Sequence, residues 1–286
     1  MHHLRLKLAA IVLAVGSAGG IALTAGPAAA AVIAGPGAGG VYIPAAAPAG
    51  TSTQAVRGIT KNYSYNWSGY AQNGKATKKF TAVKSYWTVP TVKAGVSGTQ
   101  YSSDWVGVDG YSNSKLVQDG TEADNVNGKA QYSSWTEILP AASVNTPLTI
   151  HAGDKMEGLV EEYATNKWEM TVSDLTSGKS YTKKVSYTTP EQSAECVHER
   201  PEVGGSLANL AATSNVSFNP GDYSTAAAGK TPVWQAMEKA ISGETVYQMF
   251  MINNADTAVI ASPSLPNSAK DGFTVADGAT SPPPPS

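Results

Sequence analysis

The sequence predicts an all-β protein built from antiparallel strands, and two observations support this class. First, apolar and polar residues alternate over short runs rich in Val, Thr, Tyr and Trp, which is the pattern of half-buried strands. These runs lie at residues 84–89, 104–109, 133–138, 168–173 and 246–252. Second, Asn73-Gly74, Asn127-Gly128 and Ser177-Gly178 separate strand-like runs and suit the positive dihedral angles of tight hairpin turns.

One segment departs from the strand pattern. It begins with Thr231 followed by a proline and ends at Gly243, which are the usual signals for the start and end of a short helix. Val233, Met237 and Ile241 would share one face of that helix. We therefore expect a short helix over residues 231–242 that packs on a sheet.

The first 31 residues have the order of a secretory signal peptide. A basic start is followed by an apolar stretch and by small residues that end near Ala30 or Ala31. A membrane anchor is the weaker alternative, because Gly16, Gly19 and Pro27 interrupt the run before it reaches about 20 apolar residues. We expect residues 1–31 to be removed and the mature protein to be secreted, extracellular and free of the membrane.

The composition divides the rest of the chain into three parts. Residues 32–60 are rich in Ala, Gly and Pro and are expected to be a linker or a short pro-segment. Residues 61–268 contain nearly all the tryptophan and tyrosine and are long enough for one domain with a sizeable core. Residues 269–286 end in a proline run and are predicted to be a disordered tail.

Charge and cysteine content exclude several classes of partner and of structure. The formal net charge of −2 and the pI of about 6.1 predict no basic surface for nucleic acid or for an anionic membrane. With Cys196 as the single cysteine, an intramolecular disulfide is impossible. The fold must be stabilised by its core, and nothing in the sequence requires more than a monomer.

Several predicted strands carry one face that combines aromatic side chains with carboxyl or amide groups. Since side chains alternate across a strand, residues two or four positions apart lie on the same face. The pairs on such faces are Trp105 with Asp109, Leu116 with Gln118, Trp135 with Glu137, and Glu195 with Glu199. A merely solvated face would carry more Lys, Ser and Thr, so this pattern predicts a groove.

Five short motifs containing these residues follow one another along the chain. They are Asn66-Trp-Ser-Gly69, Trp105-Val-Gly-Val-Asp-Gly110, Leu116-Val-Gln-Asp-Gly120, Trp135-Thr-Glu137 and Ala194-Glu-Cys-Val-His-Glu199. In order and approximate spacing they resemble the glutamic peptidases, or eqolisins, and the likeness covers about residues 66–262. The resemblance implies a two-sheet antiparallel β-sandwich of concanavalin-like shape, with a substrate groove on the concave face of one sheet.

The resemblance also implies site residues and an activity. Gln118 falls on the catalytic glutamine of the family, and Glu199 falls on its catalytic glutamate. Positions that line or support the groove are matched by Trp67, Trp105, Asp109, Trp135 and Glu137. The implied protein is a secreted acid endopeptidase that hydrolyses protein or peptide substrates without a metal or a cofactor.

The chemistry of the two side chains suits this activity. A glutamate can take a proton from water as it attacks the peptide carbonyl and return it to the leaving nitrogen, which contributes about 10²- to 10⁴-fold. The Gln118 amide can donate to the developing oxyanion, and losing one such donor typically costs about 10²- to 10³-fold. An amide also remains a donor at any pH.

Other catalytic sites fit the sequence less well. Glu195 and Glu199 are roughly 13 Å apart along a strand, which is too far for the carboxyl pair of a glycosidase. His151 and His198 are the only histidines beyond the leader, and neither has a second ligand at zinc spacing. Cys196 and His198 should face away from Glu199, so a thiol catalyst is not favoured.

Two alternatives from other functional classes stay open at this point. One is a carbohydrate-binding β-sandwich in which Trp67, Trp105 and Trp135 stack on sugars. The other is a catalytically inactive relative that binds peptides without turnover. His198 and Arg200 flank Glu199, and Arg200 should point away from it, which leaves the pH optimum open.

Overall fold

Strands supply the regular structure of residues 39–51, 58–74 and 79–286, which are the residues described in a computed structural model. The first ten are β1 (Ile59–Ser64), β2 (Trp67–Gly74), β3 (Ala82–Thr88), β4 (Thr99–Gln100), β5 (Ser103–Val108), β6 (Val117–Val126), β7 (Lys129–Ile138), β8 (Val144–Asn145), β9 (Lys155–Ala164) and β10 (Lys167–Asp174). The others are β11 (Lys179–Ser186), β12 (Ser193–Glu199), β13 (Glu202–Val203), β14 (Ser206–Leu207), β15 (Val216–Phe218), β16 (Gly221–Ser224), β17 (Gln235–Ala236), β18 (Glu244–Ile252), β19 (Val259–Pro263) and β20 (Phe273–Asp277). The predicted signal peptide, residues 1–31, lies outside the described residues.

Two sheets contain almost all of these strands. The larger has the order β15-β20-β19-β18-β2-β12-β5-β6-β7-β8, with β4 paired to β6 and β1 paired in parallel to β18. The smaller has the order β11-β10-β9-β3-β16-β17, and β13 with β14 forms a separate hairpin. Apart from β1 with β18, the ladders are antiparallel, which confirms the predicted all-β antiparallel class. No helix of a length and apolarity suited to crossing a bilayer occurs in the described part of the chain.

The main core lies between the two sheets. Val106 and Val117 point into it from the larger sheet, and Val160 and Met170 point into it from the smaller one. Burying each such side chain stabilises the fold by roughly 1.5–3 kcal/mol. A second apolar cluster, which includes Trp67, lies on the outer face of the larger sheet and forms the floor of a groove.

The helix predicted over residues 231–242 is wrong. This region contains turns and the two-residue strand β17, and Val233 is 66% exposed. One turn bond, Lys239 N to Ala236 O at 3.2 Å, lies within the segment, whereas the following bonds join it to distant residues. The Met237 N–H donates to Gly221 O at 3.0 Å, and the Gln72 amide donates to the carbonyls of Met237 and Lys239 at 2.8 Å each.

The domain extends beyond the predicted boundary at residue 268. Strand β20 lies within the segment 269–286 that was expected to be disordered, and it pairs with β19 and with β15. Phe273 is 0% exposed and stacks on Phe218 with ring centroids 5.0 Å apart. The proline run that dominates the composition of this segment begins only after the strand.

Part of the predicted linker or pro-segment 32–60 packs against the larger sheet. The leading segment, defined here as residues 39–47, runs beside the ends of β1 and β2. Its backbone is held by the bonds Ala45 N to Tyr63 O at 3.0 Å, Tyr65 N to Ile43 O at 2.9 Å and Tyr42 N to Gly110 O at 3.0 Å. The leading segment therefore covers part of the groove.

Candidate active site

Glu199 lies at the end of β12, between β2 and β5, and points into the groove. Its neighbours across the two ladders are Trp67 and Ser103. The side chain is fully buried, and both carboxyl oxygens accept hydrogen bonds. Asn66 Nδ2 and Gly40 N each donate to Oε1 at 3.0 Å, and Trp105 Nε1 donates to Oε2 at 2.8 Å. Three donors therefore fix the position of this carboxyl group.

Burial raises the pKa of Glu199 well above its ordinary value. The hydrogen bonds from Trp105 and Asn66 oppose this change, and the charge of Glu137 adds to it. Part of the burial comes from the leading segment, since Gly40 contacts the carboxyl directly. Moving that segment away would return water to Glu199 and make its ionisation easier.

Gln118 lies on β6, where it faces Gly107 of β5 and Glu137 of β7. Its side chain is fully buried, and Nε2 donates to Glu137 Oε2 at 2.8 Å. The amide nitrogen has two hydrogens, so one N–H is left for a second acceptor. Among the described residues, its Oε1 has no partner. Glu137 thus anchors the amide from one side.

The pKa of Glu137 is raised to about 8, mainly by burial. The hydrogen bonds from Gln118 and from the Gly39 backbone lower it in part, and the charge of Glu122 raises it. Glu137 is consequently protonated at acid and neutral pH. A neutral Glu137 places no second negative charge beside Glu199.

Gln118 and Glu199 meet adjacent residues of the leading segment. Gly40 N is 3.0 Å from Glu199 Oε1, and a Cβ atom added to Gly39 would be 2.6 Å from Gln118 Nε2. The two side chains therefore lie beside adjacent residues of the leading segment. Their strands, β12 and β6, are not neighbours, because β5 lies between them and supplies Trp105 to the floor.

Gly120 explains how the indole of Trp105 fits between these strands. The two residues are paired across β5 and β6. A Cβ atom at Gly120 would be 2.5 Å from Trp105 Cβ and 2.4 Å from Asp104 O, which leaves no space for a side chain. The glycine two positions after Gln118 thus lets the tryptophan reach Glu199.

The three predicted groove tryptophans have different contacts. Trp67 donates to Gly40 O at 2.9 Å and lies edge-on to Trp105, with ring centroids 5.0 Å apart. Trp135 belongs to the same buried cluster, but its Nε1 has no partner among the described residues. Trp67 and Trp105 hold the polar groups of the site, whereas Trp135 fills the floor.

Asp109 is not in the groove. Its backbone has a φ of 74°, and its carboxylate accepts hydrogen bonds from Glu191 N at 2.6 Å and Gln192 N at 2.7 Å. The Thr189 hydroxyl and the Asn113 amide also donate to it. Asp109 therefore anchors the loop that leads into β12 and supports Glu199 indirectly.

The other polar residues near Glu199 have structural partners. His198 Nδ1 lies 2.8 Å from Asp104 Oδ1, and Cys196 is buried in the core between the sheets. Both point away from the groove, as the alternation along β12 predicts. Arg200 Nη2 donates to Tyr65 O at 2.6 Å and to Asn254 Oδ1 at 2.8 Å, so this cation is bonded elsewhere.

Burial of His198 by itself would lower its pKa, but the charge of Asp104 and the hydrogen bond to it raise the pKa above the ordinary value. Burial raises the pKa of Glu195 well above its usual range, and the charge of Asp109 adds to this change. Both groups lie in the supporting structure. No hydrogen bond joins either side chain to Glu199 among the described residues.

The sequence predicted no site role for Asn66, and it predicted residues 32–60 only as a linker or a short pro-segment. Asn66 Nδ2 donates to Glu199, and its Oδ1 accepts from Ile43 N at 2.9 Å. Its place in the motif before Trp67 was a usable signal for this role. Gly39 and Gly40 gave no comparable signal, because they belong to a stretch of small residues without side-chain chemistry.

The geometry is suited to adding water to a peptide bond. A carboxyl group can accept and return a proton on one side of a peptide unit while an amide N–H binds the carbonyl oxygen from the other. The described residues contain no group of three or more His, Cys, Asp or Glu side chains placed to hold a metal ion.

Comparisons with known proteins point to one family. The model of the peptidase A4 family matches residues 65–268. Aspergillopepsin-2 of Aspergillus niger is 30% identical over 182 residues, which are 55% of this chain and 64% of that protein. The match thus spans just under two thirds of the length of this relative.

Solved structures show a similar fold. Scytalido-glutamic peptidase with a transition state analog inhibitor superposes with a TM-score of 0.60 at 20% identity, over 74% of this chain and 98% of the other. Aspergilloglutamic peptidase from Aspergillus niger gives a TM-score of 0.53 at 26% identity, over 62% of this chain and 99% of the other. The predicted β-sandwich architecture is confirmed by these similarities.

Proposed function

The chain belongs to the peptidase A4 family, the glutamic peptidases or eqolisins, and from this premise we propose that it is an endopeptidase with Gln118 and Glu199 as its catalytic pair. The observation that carries the proposal is the position of both side chains beside adjacent residues of one chain segment, Gln118 next to Gly39 and Glu199 bonded to Gly40 N. Its substrates are unfolded proteins or peptides, since the groove already accommodates a polypeptide segment, residues 39–47. Secretion is part of the proposal and rests on the leader at residues 1–31.

Glu199 is the proton carrier of the proposed reaction. Its carboxylate takes a proton from the attacking water, and the resulting carboxylic acid gives that proton to the leaving nitrogen. The contact of 3.0 Å between Gly40 N and Glu199 Oε1 indicates where such a nitrogen would lie. Asn66 and Trp105 stabilise the ionised form, and they hold the carboxyl in the orientation that the reaction needs.

Gln118 is the proposed oxyanion donor. One N–H of its amide is held by Glu137, and the other is available to the carbonyl oxygen of the substrate. A fixed donor in a buried site needs little reorganisation when negative charge develops on that oxygen. Gln118 thus lowers the barrier to water attack without itself gaining or losing a proton.

An acid working range follows from the carboxyl groups of the groove. Glu137 has a pKa of about 8, and burial also raises the pKa values of Glu122 and Asp124 on the same face of β6. At acid pH these neighbours are neutral, so they do not oppose the ionisation of Glu199 once the leading segment has moved away and water has returned to it. At alkaline pH their ionisation would oppose that of Glu199.

Carbohydrate binding through the three tryptophans has less support. Trp67 and Trp105 use their indole N–H groups to bond Gly40 O at 2.9 Å and Glu199 Oε2 at 2.8 Å, and Trp135 is buried in the same cluster. Their indole groups support the carboxyl and the floor of the groove. The remaining alternative, a peptide binder without turnover, is separated from the peptidase by the test that follows.

The test compares hydrolysis of an unfolded protein substrate between pH 3 and 6 by the wild type and two variants. We expect Glu199→Gln to lose at least about 10²- to 10⁴-fold in kcat, because the proton carrier is gone. Gln118→Ala should lose about 10²- to 10³-fold, because the oxyanion donor is gone. Glu195→Gln is the matched control, since it changes a buried carboxyl on the same strand and face, and its activity should stay within a few fold of the wild type.

Two outcomes would contradict the proposal. Wild-type activity in both Glu199→Gln and Gln118→Ala would remove the assigned roles. Absence of hydrolysis by the wild type, together with saturable binding of the unfolded substrate, would favour the inactive binder.

A further inference from the structure

An aromatic pocket next to the catalytic pair is filled by Tyr42 of the leading segment. The ring of Tyr42 lies against Tyr111 with centroids 4.7 Å apart, and it meets Trp67 edge-on at 5.7 Å. Tyr111 in turn stacks on Tyr247 at 4.6 Å. The tyrosine pocket, defined by Trp67, Tyr111 and Tyr247, therefore holds one further aromatic ring by contacts of the geometry that aromatic pairs prefer.

Polar contacts show that the pocket fits a tyrosine rather than any apolar side chain. The Tyr42 hydroxyl donates to Tyr63 O at 2.7 Å, and the Tyr42 backbone donates to Gly110 O at 3.0 Å. The opposite wall is also fixed, since Asn62 Nδ2 donates to the Tyr111 hydroxyl. A ring without a hydroxyl would leave the Tyr63 carbonyl without this donor.

The leading segment shows where the tyrosine pocket lies relative to Gln118 and Glu199. Gly39 contacts Gln118, and Gly40 N contacts Glu199, so the Gly39–Gly40 bond lies where a cleaved bond would lie. Counted from that bond toward the carboxyl end, Tyr42 is the third residue. The segment thus occupies the groove in the register of a substrate.

We propose that the tyrosine pocket is a substrate subsite that selects tyrosine, and less strongly phenylalanine, at the third position on the carboxyl side of the cleaved bond. The leading segment occupies this subsite in place of a substrate. This inference rests on the proposed peptidase function and adds to it the class of side chain that the site prefers.

The test uses the full chain and a peptide with the sequence of residues 37–46, Gly-Ala-Gly-Gly-Val-Tyr-Ile-Pro-Ala-Ala. Analogues replace its tyrosine by Phe, Leu or Ala. The inhibition constant of each peptide against hydrolysis of the unfolded protein is measured at acid pH, and mass spectrometry locates any cut in the peptide. We expect the tyrosine peptide to inhibit about tenfold more tightly than the alanine peptide, with phenylalanine between them. Any cut should fall between the two adjacent glycines.

Two variants test whether the preference for tyrosine arises from the tyrosine pocket. Tyr111→Leu should reduce the ratio between the alanine and tyrosine inhibition constants to about one, because the wall of the pocket is lost. Tyr163→Leu is the control, since Tyr163 is a 37% exposed tyrosine on β9 of the smaller sheet, and it should leave the ratio unchanged. If Tyr111→Leu does not fold, as judged by its thermal melt, Tyr247→Leu replaces it.

Equal inhibition by the tyrosine and alanine peptides, with hydrolysis of the unfolded protein intact, would overturn the subsite and leave the peptidase function standing. A ratio unchanged by both Tyr111→Leu and Tyr247→Leu would also overturn it. Failure of the peptidase function has a different signature, since the unfolded protein would then remain uncut. Calorimetric binding of the same peptides would in that case still report whether the pocket prefers tyrosine.

Discussion

Glu137 decides which way the Gln118 amide is oriented. Its Oε2 accepts from Gln118 Nε2 at 2.8 Å, and the two residues are direct neighbours across β6 and β7. Without this acceptor, the amide could rotate about its terminal dihedral and present its oxygen to the substrate carbonyl. Oxygen facing oxygen would be repulsive at the position where the oxyanion forms.

This orientation can be tested with two substitutions at one position. Glu137→Leu should lower kcat about 10- to 100-fold with a smaller change in KM, because the donor is no longer held in place. Glu137→Gln should recover most of the loss, since its amide oxygen can still accept from Gln118 Nε2. Steady-state kinetics at acid pH measure both constants, and equal losses in the two variants would assign Glu137 a purely structural role.

Single residues differed in how well the sequence predicted their position. Alternation along β12 correctly separated Glu199 from Cys196 and His198, because a strand allows no other arrangement. Asp109 was expected to line or to support the groove, and it supports the groove from a loop, where its backbone φ is 74° and its carboxylate accepts from Gln192 N. Dihedral angles of this kind are set by tertiary contacts and leave no periodic signal.

At the scale of elements, strand β20 shows that the domain does not end at the predicted boundary. Its Phe273 packs on Phe218 and Tyr70, with ring centroids 5.0 Å and 4.8 Å apart. These contacts place the strand within the main core. A segment rich in proline can therefore contain a strand that the core requires.

Phe273→Ala is expected to lower the free energy of unfolding by about 3–5 kcal/mol, the usual cost of removing a buried phenylalanine ring. Urea denaturation followed by tryptophan fluorescence measures this change. Pro283→Ala is the control, because Pro283 is exposed beyond the strand, and it should stay within about 0.5 kcal/mol of the wild type. A similar stability of both variants would mean that β20 is dispensable.

The helix predicted over residues 231–242 is absent because contacts with other elements determine the structure of this segment. A threonine, a proline and a glycine at its ends are equally compatible with turns. Here Gln72 binds two carbonyls of the segment, and Lys84 lies over Trp234 at 4.5 Å. Contacts with distant strands therefore outweighed local helix propensity.

At the scale of the whole molecule, several buried carboxyl groups form no ion pair with any residue that the structure describes. Burial raises the pKa values of Asp119, Glu195 and Glu238 well above their ordinary values, and that of Glu137 to about 8. The folded protein therefore binds more protons than the unfolded chain between about pH 4 and pH 8. Their stabilising contribution is complete below about pH 4 and is lost as the pH rises through the folded-state values.

We accordingly expect the protein to be more stable at pH 4 than at pH 8. A difference of one pKa unit corresponds to about 1.4 kcal/mol, so the loss over this range should reach a few kcal/mol. For a domain of this size, that change lowers Tm by about 10 °C. Differential scanning calorimetry across this pH range measures it, and a Tm that rises toward pH 8 would show that these carboxyl groups are hydrated in the folded state.

The all-β antiparallel class was predictable because period-two alternation and hairpin turns recur along the chain, whereas the two-sheet sandwich was implied by the family resemblance. The order of the strands was not predictable, since β12 lies between β2 and β5 although more than 80 residues separate it from either strand. Such pairings depend on long-range packing. The distance between Gln118 and Glu199 could therefore be expected only through the family resemblance.

The leading segment is joined to β1 through residues 48–58 of the same polypeptide. A ligand on the same chain competes at an effective concentration that is commonly in the millimolar range when the connecting stretch is short. Dilution of the protein cannot release such a ligand, whereas a single cut in the connection would convert it into an ordinary, diffusible peptide. Diluting a fresh preparation should thus leave its activity per molecule unchanged, whereas a cut in the connection should raise it.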